Sequence, residues 1–235
     1  MTTSASTIFQ LTTNQIINAA YRKLGVLSES TTANAAQLTT GTEALNAIVA
    51  EFQTLGMPLW ARKELDITMV SGQKDYTIGV GKAISVPFPL HIYEATLSNP
   101  TTTSQIMVNR VAKEDFNNLP TGANSGVPVN YTYQQLINYG VFSVWPTPSA
   151  TTPASTKITI VYQSPFEYFV ASTDTAFFPQ EWSNTLIYTL ASALAPEQTL
   201  PLQDRQLLMK EAEMHLGLAL SNGVEDGSFF FQVNR

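Results

Sequence analysis

The hydrophobic period changes twice along the chain, and this change constrains the fold more than any other feature. Apolar residues recur every three to four positions up to Leu55, alternate with polar residues from Leu65 onward, and return to the helical period after Pro179. Helices at both ends therefore flank a block of strands. We predict an α+β protein: a helical bundle built from the N- and C-terminal helices, an inserted antiparallel β-sandwich or barrel-like domain, and an extended C-terminal arm.

The spacing predicts four helices, at residues 13–24, 38–55, 179–194 and 202–220. Thr12 precedes the first and can cap its N-terminus. Apolar residues of the last helix form a band wider than the single stripe of a surface helix. We therefore expect the bundle or another subunit to cover more than one of its faces.

The middle of the chain is predicted to form short strands. Residues 65–69 alternate, and Ser71-Gly72 turns the chain into residues 74–78, which indicates a hairpin. Further strands are expected at residues 91–97, 106–111, 131–136, 141–145 and 157–162, with one helical turn at 113–119. The resulting division is a helical part at 1–62, a β domain at 63–175, a second helical part at 176–222, and an arm at 223–235.

Composition excludes several classes of function. The 235 residues contain no cysteine, so disulfides, thiolate nucleophiles and Cys-ligated metals are ruled out. The net charge is −6 and the longest basic run is a pair, which argues against tight binding of nucleic acid. No stretch reaches the roughly 18 to 20 unbroken apolar residues of a membrane-spanning helix, and the N-terminus lacks the pattern of a signal peptide. We expect no membrane association.

No catalytic or metal-binding pattern emerges. The two histidines, His91 and His215, lack a second ligand at helical spacing. The carboxylate pairs, such as Glu114-Asp115, have the spacing of a solvated face. The stretch 79–82 (GVGK) lacks the spacing of either glycine-rich phosphate motif and follows a strand without opening a helix. We therefore predict no catalytic residue, no metal, no cofactor and no enzymatic activity.

The C-terminal residues suggest association instead. Residues 224–235 follow a helix stop at Asn222-Gly223 and contain three consecutive phenylalanines, which are costly to leave in water. They can dock on a partner, since aromatic anchors dominate interface energies, or fold back on the chain's own β domain.

Two other functions fit parts of the sequence. A peripheral β-domain module that binds host glycans would use Trp60, Trp145 and the tyrosines 131, 133 and 139 as a stacking platform. A carboxylate hydrolase of the bacterial cell wall would use the paired acids. Neither function explains the helices at both ends.

Seven segments of the chain form a recognisable series. They are INAAYRKLGV at 17–26, ALNAI at 44–48, FQTLGM at 52–57, GVP at 126–128, VWPTP at 144–148, FPQEW at 178–182 and LASALAPE at 190–197. In this order they resemble the podovirus head-to-tail adaptors, also described as packaged-DNA stabilisation or tail tubular A-type proteins. The resemblance covers nearly the whole chain and is weakest at residues 80–105 and in the last dozen.

The resemblance implies a structural protein of the virion, made in the host cytoplasm and placed at the junction of capsid and tail. Such adaptors form a ring, typically of twelve copies, between the portal and a tail or nozzle protein, and DNA passes through the ring without specific binding. Their C-terminal arms usually reach the portal. On this chain the arm would use Val224, Phe229, Phe230, Phe231, Val233 and Arg235. Side-by-side packing would use Leu207, Met214 and Leu218 of the wide apolar band.

Overall fold

The computed structural model describes residues 9–54, 61–98, 105–120, 125–150, 156–175 and 177–221. Its helices are α1 Thr13–Lys23, α2 Ala35–Phe52, α3 Lys113–Asn117, α4 Ser183–Leu194 and α5 Leu202–Ser221. Its strands are β1 Arg62–Thr68, β2 Asp75–Ile78, β3 His91–Ser98, β4 Gln105–Met107, β5 Asn109–Arg110, β6 Ser125–Gly126, β7 Asn130–Gln135, β8 Gly140–Trp145, β9 Thr147–Pro148 and β10 Lys157–Gln163. The predicted α+β class is confirmed.

The chain divides into two compact units. One comprises Trp60–Pro165, and the other joins Met1–Leu59 to Phe166–Arg235. The β unit is thus continuous in sequence, whereas the helical unit is assembled from both ends of the chain.

The helical unit is organised around α4, which contacts α1, α2 and α5. Capping boxes begin α1 at Thr12 with Gln15, and α2 at Asn34 with Gln37. In each box the side-chain oxygen of the first residue accepts from the backbone N–H of the glutamine, and the glutamine Oε1 accepts from the backbone N–H of the first residue. The core is apolar and contains Ile16, Ile17, Ala20, Leu45, Ile48, Val49, Leu186, Leu190 and Leu194.

Residues 166–175 belong to the helical unit in the structure, although the sequence places them in the β domain. Thr12 forms a bridge with Thr175, and the amide of Thr13 donates a hydrogen bond to the carbonyl of Asp174 at 2.8 Å. The ring of Phe166 lies 5.2 Å from that of Phe178. These contacts join the return of the chain from the β unit to the start of α1.

The β unit contains two four-stranded sheets, in the orders β1-β10-β3-β4 and β2-β8-β7-β5. They share one apolar core. The first sheet contributes Ile67, Ile92, Leu97, Ile158 and Ile160, and the second Tyr76, Ile78, Tyr131, Phe142 and Val144. The arrangement is a sandwich whose longer strand pairs are antiparallel, and the barrel that the sequence left open is not formed by the described strands.

The hairpin predicted at residues 65–78 is wrong. β1 pairs with β10 and β2 pairs with β8, so the two strands lie in different sheets. The turn between them contains Gly72 at φ +76° and closes with a hydrogen bond from Gln73 N to Val70 O. The hydroxyl of Tyr76 accepts from Val70 N and donates to Gln73 O, which fixes the turn. The chain therefore crosses the sandwich here instead of doubling back.

Candidate assembly surfaces

The last helix, α5, packs mainly on α4. Its two buried residues are alanines, Ala212 and Ala219, whose small side chains allow a close approach of the two helices. The hydroxyl of Thr185 on α4 donates a hydrogen bond to the carbonyl of His215 at 3.1 Å. Within the described residues, one narrow face of α5 is therefore buried, and the positions beside it are partly or fully exposed.

His215 has a packing role in this contact. Its ring stacks on Tyr188 of α4 at 4.7 Å between centroids, and its Nε2 atom lies 4.0 Å from a carboxylate oxygen of Glu211. The ammonium of Lys23 lies 4.9 Å from the centre of the same tyrosine ring. The other histidine, His91, is in β3 of the β unit, so α5 contains one of the two histidines.

Three residues predicted to face a neighbouring subunit form one exposed stripe on α5. Leu207, Met214 and Leu218 are exposed by 60, 51 and 59%. Their separations of seven and four residues place them within about 40° of one another on a helix of 3.6 residues per turn. We call Leu207, Met214 and Leu218 the first stripe.

A second exposed stripe runs along the opposite flank of α5, and the sequence analysis did not separate it from the first. Leu202, Met209 and Leu220 are exposed by 71, 53 and 36%. Leu202 and Leu220 are five helical turns apart and Met209 deviates from their direction by about 20°. The signal was present in the spacing, but the sequence analysis described one wide apolar band with more than one covered face and did not divide it into stripes. We call these residues the second stripe.

The predicted portal-binding arm lies outside the described residues. This holds for Val224, Phe229, Phe230, Phe231, Val233 and Arg235, and for the helix stop at Asn222-Gly223. The described chain ends at Ser221, the last residue of α5.

A loop of the helical unit, residues 168–174, is fixed by two polar clamps. The side-chain amide of Asn46 accepts from Phe169 N and donates to Phe169 O, both at 2.9 Å. The carboxylate of Asp174 accepts from Val170 N at 2.9 Å and from Ala171 N at 2.6 Å, and these hydrogen bonds lower the pKa of Asp174. The backbone amide of the exposed Val170 is thus hydrogen-bonded within the loop.

Three described residues of the glycan platform considered from the sequence have packing or hydrogen-bonding roles in the β unit. Tyr131 is buried in the sandwich core, where its ring stacks on Phe142 at 5.1 Å. Tyr133 is partly buried and its hydroxyl donates to Pro89 O at 2.7 Å. The indole of Trp145 donates to Pro120 O at 3.1 Å, and Trp60 lies outside the described residues. The tyrosines at 131 and 133 support the fold because the β pattern directs them inward.

The glycine-rich stretch 79–82 is a closed loop that follows β2. Gly81 has φ +74°, and Lys82 N donates to Gly79 O at 3.0 Å. The ammonium of Lys82 lies over the ring of Tyr139 at 4.6 Å. A phosphate loop needs backbone amides at the start of a helix. This one leads to residues 84–90 without a helix, as the sequence predicts.

The solvent face of the first sheet carries a shallow acidic depression of about 350 Å³, whose lining includes Glu64, Asp66 and Glu94. Asp66 accepts from Thr159 at 2.7 Å and from Lys157 at 3.0 Å. The hydrogen bond from Thr159, followed by that from Lys157, lowers the pKa of Asp66. The carboxylate of Asp66 therefore stays ionised to a lower pH than an unperturbed aspartate.

Two absences concern the described residues alone. Within them no group of three or more His, Asp or Glu side chains is placed to hold a metal ion. No helix in the described ranges is long and apolar enough to cross a membrane.

The chain was compared with models of known protein families. The family model described as SU10 adaptor protein matches residues 11–222, which include every described helix and strand. No curated protein matches the chain. The match supports a bacteriophage structural adaptor, a component of the virion that associates with other virion proteins, and it implies a non-enzymatic role. The chain belongs to the SU10 adaptor protein family.

Proposed function

We propose that this protein is a head-to-tail adaptor of podovirus type. In this role twelve copies form a ring below the portal, connect the capsid to the tail or nozzle protein, and continue the channel through which DNA leaves. The observation that carries the proposal is the family match over residues 11–222. The motifs at both ends, INAAYRKLGV at 17–26 and LASALAPE at 190–197, lie in or beside the helices of one unit, and this unit would build the ring wall.

The first stripe supports contact between neighbouring copies. Leu207, Met214 and Leu218 are aliphatic and more than half exposed in the single chain. A soluble surface helix normally turns such residues inward. In a ring, each copy presents two different patches to its two neighbours, and the contacts close on themselves. The first stripe is then one of these patches.

The C-terminal arm, residues 224–235, is proposed to bind the portal. Phe229, Phe230 and Phe231 would fill pockets of the portal, flanked by Val224, Val233 and Arg235. Aromatic side chains bury the largest area per residue and dominate the energies of interfaces. The arm follows directly on α5, so one helix connects the subunit contact to the portal contact.

Charge supports passage of DNA without binding. The chain carries a net charge of −6, and Glu64, Asp66 and Glu94 form an acidic face on the β unit. Nucleic-acid binding at physiological salt requires clustered Lys and Arg that displace counterions. We expect no measurable affinity of the isolated protein for duplex DNA near physiological salt. A micromolar complex would argue against a passive channel.

Native mass spectrometry tests the proposal. The purified chain is mixed with the portal ring of the same virus, and we expect a complex that carries a symmetric set of copies. The variant Phe229→Ser/Phe230→Ser/Phe231→Ser should lose this complex while remaining folded. A matched control, Glu225→Gln/Asp226→Asn, changes the same segment without touching its aromatic residues and should still bind. A wild-type chain that ignores the portal would overturn the adaptor role. Undiminished binding of the triple variant would overturn the arm alone.

A further inference from the structure

We infer that α5 makes both contacts of a copy in the ring, so that the first stripe of one copy packs on the second stripe of the next. This inference rests on the proposed ring. The helix has four distinct faces by angular position. One is buried on α4 through Ala212 and Ala219, and the opposite one is polar. The two apolar stripes occupy the flanks between them, about 150° apart.

The polar face shows that the stripes are separate surfaces. It consists of Gln203, Gln206, Lys210, Glu213 and Ser221, which are all exposed. A helix buried on all sides would be apolar in every direction. On α5 the apolar stripes lie on either side of the polar face. This arrangement is expected of a helix that contacts one neighbour along each flank and exposes its polar face to solvent.

The placement of the stripes favours a second copy of this chain over other partners. A two-fold dimer joins identical patches, so it would cover one stripe and leave the other exposed. A head-to-tail contact joins unlike patches, and repetition of that contact covers both stripes in every copy. The two stripes also match in chemistry, since each contains two leucines and one methionine.

Cysteine chemistry tests the pairing, because the chain contains no cysteine of its own. Met214→Cys marks the first stripe and Met209→Cys the second. In portal-bound rings, a short bis-maleimide should link the double variant Met209→Cys/Met214→Cys into a ladder of dimers, trimers and larger species. Each single variant should give less than one tenth of that product. The pair Leu202→Cys/Leu207→Cys provides a second marker of the same two stripes.

Thiol labelling of the single variants supplies an independent readout. Assembly should slow the reaction of Met209→Cys and of Met214→Cys with a maleimide more than tenfold, and should leave Gln203→Cys on the polar face within twofold of its rate in the free chain. Dimers from a single variant, without a ladder from the double variant, would replace the proposal with a two-fold contact. Equal labelling in free and portal-bound protein would remove α5 from the interface even though the ring forms.

The chain's own C-terminal segment is the other possible occupant. If deletion of residues 222–235 raises the labelling rate of either stripe variant more than tenfold in the free chain, that segment covers the stripe and the proposal is wrong. Absence of any ring on the portal would instead contradict the proposed function, so the two failures are distinguishable.

Discussion

Gly140 in β8 lies under the side chain of Tyr133, and the substitution Gly140→Ala should destabilise the β unit. A Cβ atom on Gly140 would come within 2.5 Å of Cε2 and Cζ of Tyr133, and closer still to its hydroxyl. The ring cannot shift without cost, because its hydroxyl donates to Pro89 O at 2.7 Å. The substitution therefore crowds the ring, and the shift that relieves part of the clash also breaks this hydrogen bond.

The magnitude follows from these two terms. Overpacking of this kind costs about 1–3 kcal/mol. Loss of the hydrogen bond from Tyr133 to Pro89 adds about 0.5–1.5 kcal/mol. Replacing glycine in a strand regains about 0.5–1 kcal/mol of backbone entropy. We expect Gly140→Ala to lower the free energy of unfolding by about 1–3 kcal/mol.

Urea denaturation followed by tryptophan fluorescence measures the effect, and a double-mutant cycle assigns its cause. In the background Tyr133→Ala the clash is absent, so adding Gly140→Ala should be neutral or slightly stabilising. Gly217→Ala on α5 is the matched control, since nothing lies within 4 Å of its Cβ position, and it should stabilise by about 0.5–1 kcal/mol. A Gly140→Ala variant within about 0.5 kcal/mol of wild type, or an equal loss in both backgrounds, would refute the steric argument.

Three further predictions follow from the helical unit. Asn46→Ala leaves the amide and the carbonyl of Phe169 without their side-chain partner, so we expect the free energy of unfolding in urea to fall by about 2–4 kcal/mol. Asn46→Asp keeps the acceptor for the amide of Phe169 and should lower it less. The pKa of Asp174 is lower in the folded chain than the value of about 3.9 in the unfolded chain, so its ionised form stabilises the fold. This stabilisation is fully present above the unfolded pKa and is lost as the pH falls through the folded pKa. Asp174→Asn should therefore reduce the fall of the urea midpoint between about pH 5 and pH 2, and an unchanged slope would contradict the clamp. Gly41→Ala places a Cβ 2.8 Å from Cγ2 of the buried Ile17, so it should destabilise by about 0.5–2 kcal/mol net of improved helix propensity, and Ile17→Val should recover part of this loss.

Local signals explain which elements could be predicted from the sequence. The first helix was predicted at 13–24 and is found at Thr13–Lys23, because Thr12 with Gln15 and the positive φ of Gly25 fix its two ends. The strand block was predicted close to its observed bounds, because period-two alternation marks a strand wherever it pairs. The same alternation contains no information on the partner strand. The hairpin at residues 65–78 was therefore wrong.

Long-range contacts had no local signal. Asn46 and Phe169 are 123 residues apart, and nothing in the sequence around either residue predicts the hydrogen bonds between them. Tyr131 and Tyr133 could serve a surface or a core equally well until the sheet register was known. The first stripe was predicted because three aliphatic residues recur at helical spacing. The second stripe was missed because the spacing of apolar residues does not show which face of α5 packs on α4. That buried face is narrow and lies between the two stripes.

The exposed stripes also explain why a ring would need the portal as a template. Full burial of a Leu or Met side chain stabilises by about 1.5–3 kcal/mol, so six half-exposed side chains contribute about 5–9 kcal/mol when one first stripe meets one second stripe. Association of two free molecules costs about 4–15 kcal/mol in lost translational and rotational freedom. A single contact between stripes is therefore marginal at micromolar concentration. If the arms hold copies side by side on a portal, as proposed, those copies would face an effective concentration near the millimolar range, and the same contact would then close between neighbours at little further cost. Under the proposed function, the mostly apolar stripes of α5 would therefore suit a subunit that assembles only on the portal.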